Sequence, residues 1–265
     1  PSAQNLLLLL TFDGACYHGW QVQPDVPTIQ DTLQKAIKVL TGETVLVHGA
    51  GRTDSGVHAL NYTANFNSTS KNINTTEKWC NALNAVLPDD IVVKYAQTVS
   101  ADFHARHNAI GKRYRYLISN NSYHSPFTKN KTWHVGKILD IDIMKQVAGV
   151  LVGEHDFSAF RSSNCNSPNT VKDIREISIG KSQFQNSILQ IEIEGNSFLQ
   201  HMVRIITGTL VEAAQSRISC VDVKQALKNG DRKLAGCTAP AQGLYSLKVI
   251  CPEGLVRWPS EVIDN

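Results

Sequence analysis

The stretch that most constrains this chain is Leu6 to Phe12, five consecutive leucines followed by Thr-Phe and then Asp13-Gly14. A short run that is apolar at every position reads as a buried strand, and the Asp-Gly pair ends it. It is far too short to cross a bilayer, which takes about 20 apolar residues. No basic, apolar, small-residue leader precedes it, so the expectation is a cytoplasmic chain with no membrane contact.

Further elements follow the same punctuation. After Pro27, Thr28 and Asp31 resemble a capping box, and Ile29, Leu33, Ala36, Ile37 and Leu40 recur at helical spacing until Gly42. Short strands are expected at Thr44 to His48, Tyr62 to Phe66 and Ile91 to Tyr95, with a helix from Thr75 to Leu87. The order is β, α, β, β, α, β. In the second half, strands are expected at Arg113 to Ser119, Val171 to Ile179, Ser187 to Glu194 and Leu244 to Ile250. Helices are expected at Ile141 to Leu151 and Phe198 to Ala214. Ile191 and Ile193 alternate with Gln190, Glu192 and Glu194, the pattern of a half-buried antiparallel strand. The fold class is therefore α+β, two packed lobes with antiparallel-rich sheets, over residues 1–103 and 104–265. A length of 265 residues suits that division.

Charge divides the chain in the same place. Residues 1–103 carry 6 Lys and Arg against 9 Asp and Glu, whereas residues 104–265 carry 20 against 14. The basic excess of the second half points to a polyanionic partner. Six scattered cysteines without C-x-x-C spacing argue against a zinc site or a disulfide framework. Phosphate-cradling glycine motifs are absent, so no nucleotide cofactor is implied.

Three stretches can carry chemistry. In "GRTDSGVHAL", Asp54 lies beside Arg52 in a Gly-bounded loop; it is either an Asx-turn cap or a reactive carboxylate. In "FLQHMVRIITG", Leu199, Met202, Val203, Ile206 and Leu210 form the apolar stripe, and Arg204 projects from its flank with Gly208 one turn on. Arg204 is either a structural ion-pair member or the guanidinium that keeps an Asp ionised. In "FHARHNAIGKRYRYLI", Arg106, Lys112, Arg113 and Arg115 have no acid among them, and Tyr114 and Tyr116 share one strand face opposite Arg113 and Arg115. Cations beside ring faces suit RNA, while a solvated edge strand is the plain alternative. His58 and His201 lack a metal-like or nucleophile-like neighbour and read as structural.

The blocks "FDGACYHGWQVQP", "GRTDSGVHAL", "DFHARHNAIGKRYRYLI", "GEHDFSAFR", "NSFLQHMVRIITG" and "APAQGLYSL", in that order, resemble the TruA-type tRNA pseudouridine synthases over residues 12 to 250. The resemblance implies a pseudouridine synthase fold with a central basic cleft between two lobes, and a homodimer. It implies isomerisation of uridine to pseudouridine at positions 38 to 40 of the tRNA anticodon arm, without metal or organic cofactor. On this sequence it implies Asp54 as the attacking carboxylate and Arg204 as its ion-pair partner. Tyr114 becomes the ring that stacks on uracil, Arg52 the side chain that holds the extruded nucleotide, and Leu244 an apolar wall. Arg113 and Arg115 are the expected backbone contacts to the anticodon stem-loop. A silent tRNA-binding module and a small-molecule hydrolase using Asp54 with His58 are the competing readings.

Overall fold

The computed structural model describes residues 3–263 apart from 74, 183, 184 and 186. It is mixed α and β with mostly antiparallel pairing, and it divides into two compact units, residues 1–110 with 246–265 and residues 111–245. Among the described residues no helix is long and apolar enough to cross a membrane.

The first unit is laid down in the expected order: β1 (Gln4–Phe12), α1 (Ile29–Thr41), β2 (His48–Gly49), β3 (His58–Ser68), α2 (Thr76–Val86) and β4 (Ile91–Val99). β1 runs antiparallel between β3 and β4. Leu6, Leu8, Leu10 and Phe12 join a core with Ile29, Leu33, Trp79 and Leu83, while Leu7 joins a second cluster with Ala50, Phe103, Ala105 and Val249. With apolar partners on both faces, the strand has no position at which a polar residue would be solvated, hence the unbroken run of leucines. At α1, Thr28 accepts the Asp31 N–H, but the Asp31 carboxylate pairs with Lys35 one turn on, and Gly42 closes the helix in the left-handed region. The expected strand from Thr44 shrinks to β2. Gln34 accepts the Val47 N–H at 3.1 Å and Gln30 donates to the Val47 carbonyl at 2.8 Å, so side chains of α1 take the bonds that a neighbouring strand would make.

The compact units part at 110/111, where the sequence reading divides the chain at 103/104. Buried Asn5 donates to the Ser100 and Phe103 carbonyls, and buried Asn65 accepts the Ala105 N–H at 2.8 Å, so residues 104–110 stay with the first unit. The charge break and the fold break are separate because backbone bonding, not net charge, holds this segment.

The second unit contains β5 (Gly111–Ser119), β6 (Trp133–His134), α3 (Ile141–Leu151), β7 (Gly153–Asp156), β8 (Val171–Lys181), β9 (Ile188–Gly195), α4 (Met202–Ala214) and α5 (Cys220–Asn229). Its strands run β5-β9-β8-β7, all antiparallel, with β6 parallel to the end of β5. Ile191 and Ile193 are buried while Glu192 and Glu194 keep partial exposure, as their alternation requires. Helix α4 opens at Met202, four residues later than expected, because His201 sits at φ 65°. Helix α5 has a capping box between Ser219 and Asp222 and a left-handed Gly230 at its end. The chain closes with β10 (Leu244–Ile250) and α6 (Ser260–Ile263). From Ser246 on, it returns to the first unit, where Asn61 donates to the Leu247 and Ile263 carbonyls.

Candidate active site

Asp54 stands in the turn between β2 and β3, half-buried, with Arg52 exposed two residues before it. The turn is closed by the Val57 N–H donating to the Asp54 carbonyl at 3.2 Å, with Gly56 at φ 79°. Its other contacts come from residues 14–20. Trp20 N–H donates to the Thr53 carbonyl at 3.2 Å, Gly56 N–H to the Tyr17 carbonyl at 3.2 Å, and Ser55 Oγ to that same carbonyl at 3.3 Å. The two loops touch backbone to backbone at two glycines. A Cβ on Gly14 would collide with the Val57 carbonyl, and one on Gly19, which is at φ 81°, with the Thr53 carbonyl.

This cradle is itself anchored. The Ile29 and Gln30 N–H groups, unpartnered inside α1 because they open it, donate to the Gly19 and Trp20 carbonyls. The Tyr17 hydroxyl donates to Asp90 at 2.6 Å; burial first, and then that carboxylate, push its pKa well above the usual phenol range. The Trp20 and Tyr62 rings lie 4.5 Å apart, and the Tyr62 hydroxyl bonds the Gly51 carbonyl. His58 is buried, its Nδ1 taking the Gly14 N–H at 3.1 Å and lying 2.9 Å from Asp13. It serves as a latch between the two loops. The sequence gives Tyr17, Trp20 and Gly19 no evident role and marks Gly14 only as a strand end; the glycines are the signal that another backbone passes close by.

The second unit builds its own constellation around α4. Arg204 Nε donates to the Ala239 carbonyl at 2.8 Å, fixing the plane of the guanidinium, while the Ala239 N–H donates back to the Arg204 carbonyl. Gly208 admits this segment, since a Cβ there would collide with the Cys237 carbonyl. The buried Tyr116 hydroxyl donates to the Pro240 carbonyl at 2.6 Å, and Gly243 lies against the Tyr116 ring. Burial pushes the Tyr116 pKa far up, opposed by the charge of Arg204. Tyr114, on the same face of β5, is half-buried and meets Phe198 edge-on at 5.2 Å. Leu244 is buried at the start of β10. Within this unit, then, Arg204, Tyr116 and residues 239–243 are drawn together, and Phe198 props Tyr114.

Arg113 and Arg115 do not form the expected row of uncompensated cations. They face Glu194 and Glu192 directly across β9. Arg113 reaches Glu176 and Glu194 at 2.8 Å and Glu192 at 3.4 Å, and Arg115 reaches Glu192 at 2.8 Å. Burial disfavours the Arg113 charge, yet these glutamates outweigh it and raise its pKa. The expected phosphate contacts Arg113 and Arg115 thus pair with glutamates of β8 and β9. Acids that are remote in sequence occupy their guanidinium groups.

The family profile described as tRNA pseudouridine synthase matches residues 9–108 and 147–252. The chain is similar to tRNA pseudouridine synthase A of Acetivibrio thermocellus, with 46% identity over 246 residues, 93% of this chain and 99% of the relative. Its identity to the protein of that name from Thermoanaerobacter sp. is 46% over 247 residues, covering 93% and 99% of the two chains. The Blochmanniella pennsylvanica protein, which carries the same name, is 42% identical over 262 residues, or 99% of this chain and 98% of its own.

Proposed function

We propose, since this chain belongs to the tRNA pseudouridine synthase family, that it isomerises uridine to pseudouridine in the anticodon arm of tRNA, at positions 38 to 40, with Asp54 as the nucleophile. The observation that carries this reading is the mount of Asp54. A half-buried carboxylate on a turn clamped backbone to backbone by residues 14–20 is held in one geometry before substrate arrives. A mobile surface aspartate would have to be ordered first.

The chemistry is covalent catalysis. Asp54 attacks the uridine at the sugar carbon or at the ring, the N1–C1′ bond breaks, the detached base turns, and a C5–C1′ bond forms. A proton leaves C5 and one is gained at N1, so the exchange consumes no co-reactant. The target base must leave its stack to be reached. Arg52, exposed beside Asp54, is assigned to holding the extruded nucleotide. Tyr114 stacks on the uracil, Leu244 walls the pocket, and Arg204 keeps Asp54 ionised. The enzyme works as a cytoplasmic homodimer with the tRNA bound in a basic cleft.

The deciding experiment is incubation with unmodified tRNA in plain buffer, followed by nucleoside analysis of the anticodon arm. Pseudouridine at positions 38 to 40 is expected. Binding without conversion would favour a silent tRNA-binding module, and conversion elsewhere in the tRNA would refute the positional assignment.

A further inference from the structure

We propose that His48, His104 and His107, together with Arg106, form a subsite for RNA backbone phosphate that grips more tightly as its imidazoles take up protons. The inference rests on the reading of tRNA as substrate and adds a contact that the Asp54 site does not contain. His48, in β2, lies 4.5 Å ring to ring from His104, and His104 lies 4.2 Å from His107. His107 and Arg106 are exposed, and the other two rings are half-buried. All four residues belong to the first unit.

The middle ring is held against taking a second proton. Its Nδ1 accepts the Arg106 N–H at 3.1 Å, so in the neutral ring that bond assigns the proton to Nε2, and adding a second proton would break it. Burial, and then His107, His48 and Arg106, hold the His104 pKa below the ordinary imidazole range, with no carboxylate among the charges acting on it. The loop beneath is rigid, since the His104 N–H donates to Asn108 at 2.7 Å and the Ala105 N–H to buried Asn65.

Two further imidazoles, packed at tilted angles, and a guanidinium oppose a proton added to His104, and an anion placed there relieves that opposition. A phosphodiester fits, because the Arg106 guanidinium and the imidazole N–H groups can donate to its oxygens. The sign follows by linkage. Binding an anion raises the imidazole pKa values, so protons are taken up on binding and affinity grows as pH falls through the imidazole range. That gain is lost as pH rises above it.

The test compares tRNA binding from pH 8 to pH 6 at constant ionic strength for wild type and for His48→Phe/His107→Phe, which keeps the ring packing and removes two proton sites. Wild type should tighten by about tenfold over this range, below the limit of about tenfold per pH unit for one fully linked proton, and its salt slope should steepen by about 0.7 for each added contact. The double variant should change less than about twofold, with no change in slope. Other histidines and the tRNA itself cancel in the comparison. His107→Gln, at an exposed ring, should lose part of the response and serves if the double variant does not fold. Parallel pH profiles in wild type and variants would overturn the histidine site alone. Absence of tRNA binding by wild type at every pH would instead overturn the proposed function.

Discussion

The Asp54 turn and the charged face of β5 both concentrate polar groups, but they are held by opposite means. The turn is fixed by backbone bonds and by glycines that let two loops touch, so it has one geometry. The β5 face is a lattice of side chains, Arg113 and Arg115 against Glu176, Glu192 and Glu194, and Arg113 keeps about a third of its side-chain surface in solvent (30% exposed). Exposed ion pairs contribute about 0–1 kcal/mol each and can rearrange. Backbone cradles cannot be remade without local unfolding. On the proposed reading of Asp54 as nucleophile, the difference teaches that close backbone approach around a single carboxylate marks a reactive site better than density of charge does.

The largest effect should come from the cradle's one chemical group. Asp54→Asn removes the nucleophile but no phosphate contact, so single-turnover pseudouridine formation should fall to background while tRNA affinity stays within about threefold. Persisting turnover would put Asp54 on a par with the β5 charges and erase the contrast.

The cradle itself is the next target. Gly14→Ala drives a methyl into the Val57 carbonyl, which is backbone and cannot swing aside. A loss of at least about 2 kcal/mol is expected in denaturant unfolding, with activity falling alongside. Gly149→Ala is the control. Nothing lies within 4 Å of its added methyl, and in helix α3 it should be neutral or stabilising by up to about 1 kcal/mol. Equal behaviour of the two variants would show that the close approach is not tight in solution.

These contrasts also explain what could be read in advance. The helices α1, α2 and α3 and the strands β1, β3, β5 and β9 were legible because apolar spacing and caps such as Thr28, Thr75 and Asp140 are local signals. Helix α5 was missed although Ser219, Asp222, Val223, Ala226 and Gly230 carry the same grammar, because its apolar face is short. Asp54 and Arg52 stood out as an odd cluster, yet the partners of their loop lie about 35 residues earlier, where Gly14 and Gly19 look like ordinary turn residues. The acids that face the charge run were hidden for a related reason. Glu192 lies 77 positions from Arg115 and Glu194 lies 81 from Arg113, so pairing depended on strand order, which no local pattern encodes.

Tyr114 sharpens the comparison from within β5, since it occupies the face opposite the ion-pair lattice. Tyr114→Ala should weaken tRNA handling by about 1–3 kcal/mol, the cost of one lost stacking contact, and should slow single-turnover conversion. Tyr114→Phe keeps the ring against Phe198 and removes the hydroxyl. If that oxygen takes part in the proton transfer at C5, the Phe variant should bind normally and stall before product. A Phe variant of wild-type rate would leave stacking as the whole role, and an Ala variant of wild-type rate would remove Tyr114 from the site.

The smallest effect is expected where the sequence showed the most charge. Arg113→Gln/Arg115→Gln takes two cations from a cluster in which Glu176, Glu192 and Glu194 already neutralise them. Had the two arginines each gripped a phosphate, their loss would flatten the slope of log affinity against log salt by about 1.4 to 1.8. Because their donors are occupied across β9 and β8, the slope should stay within about 0.3 of wild type. Stability should drop by about 1 kcal/mol, since three carboxylates are left side by side without their partners. The variant that separates the two roles is Arg113→Gln/Glu194→Gln, which removes one charge of each sign. If the lattice is purely structural, this pair should recover part of the lost stability and again leave the slope unchanged. A slope that flattens by about one unit or more in both variants would mean that RNA displaces the glutamates on binding, and the β5 face would then belong to the substrate surface after all.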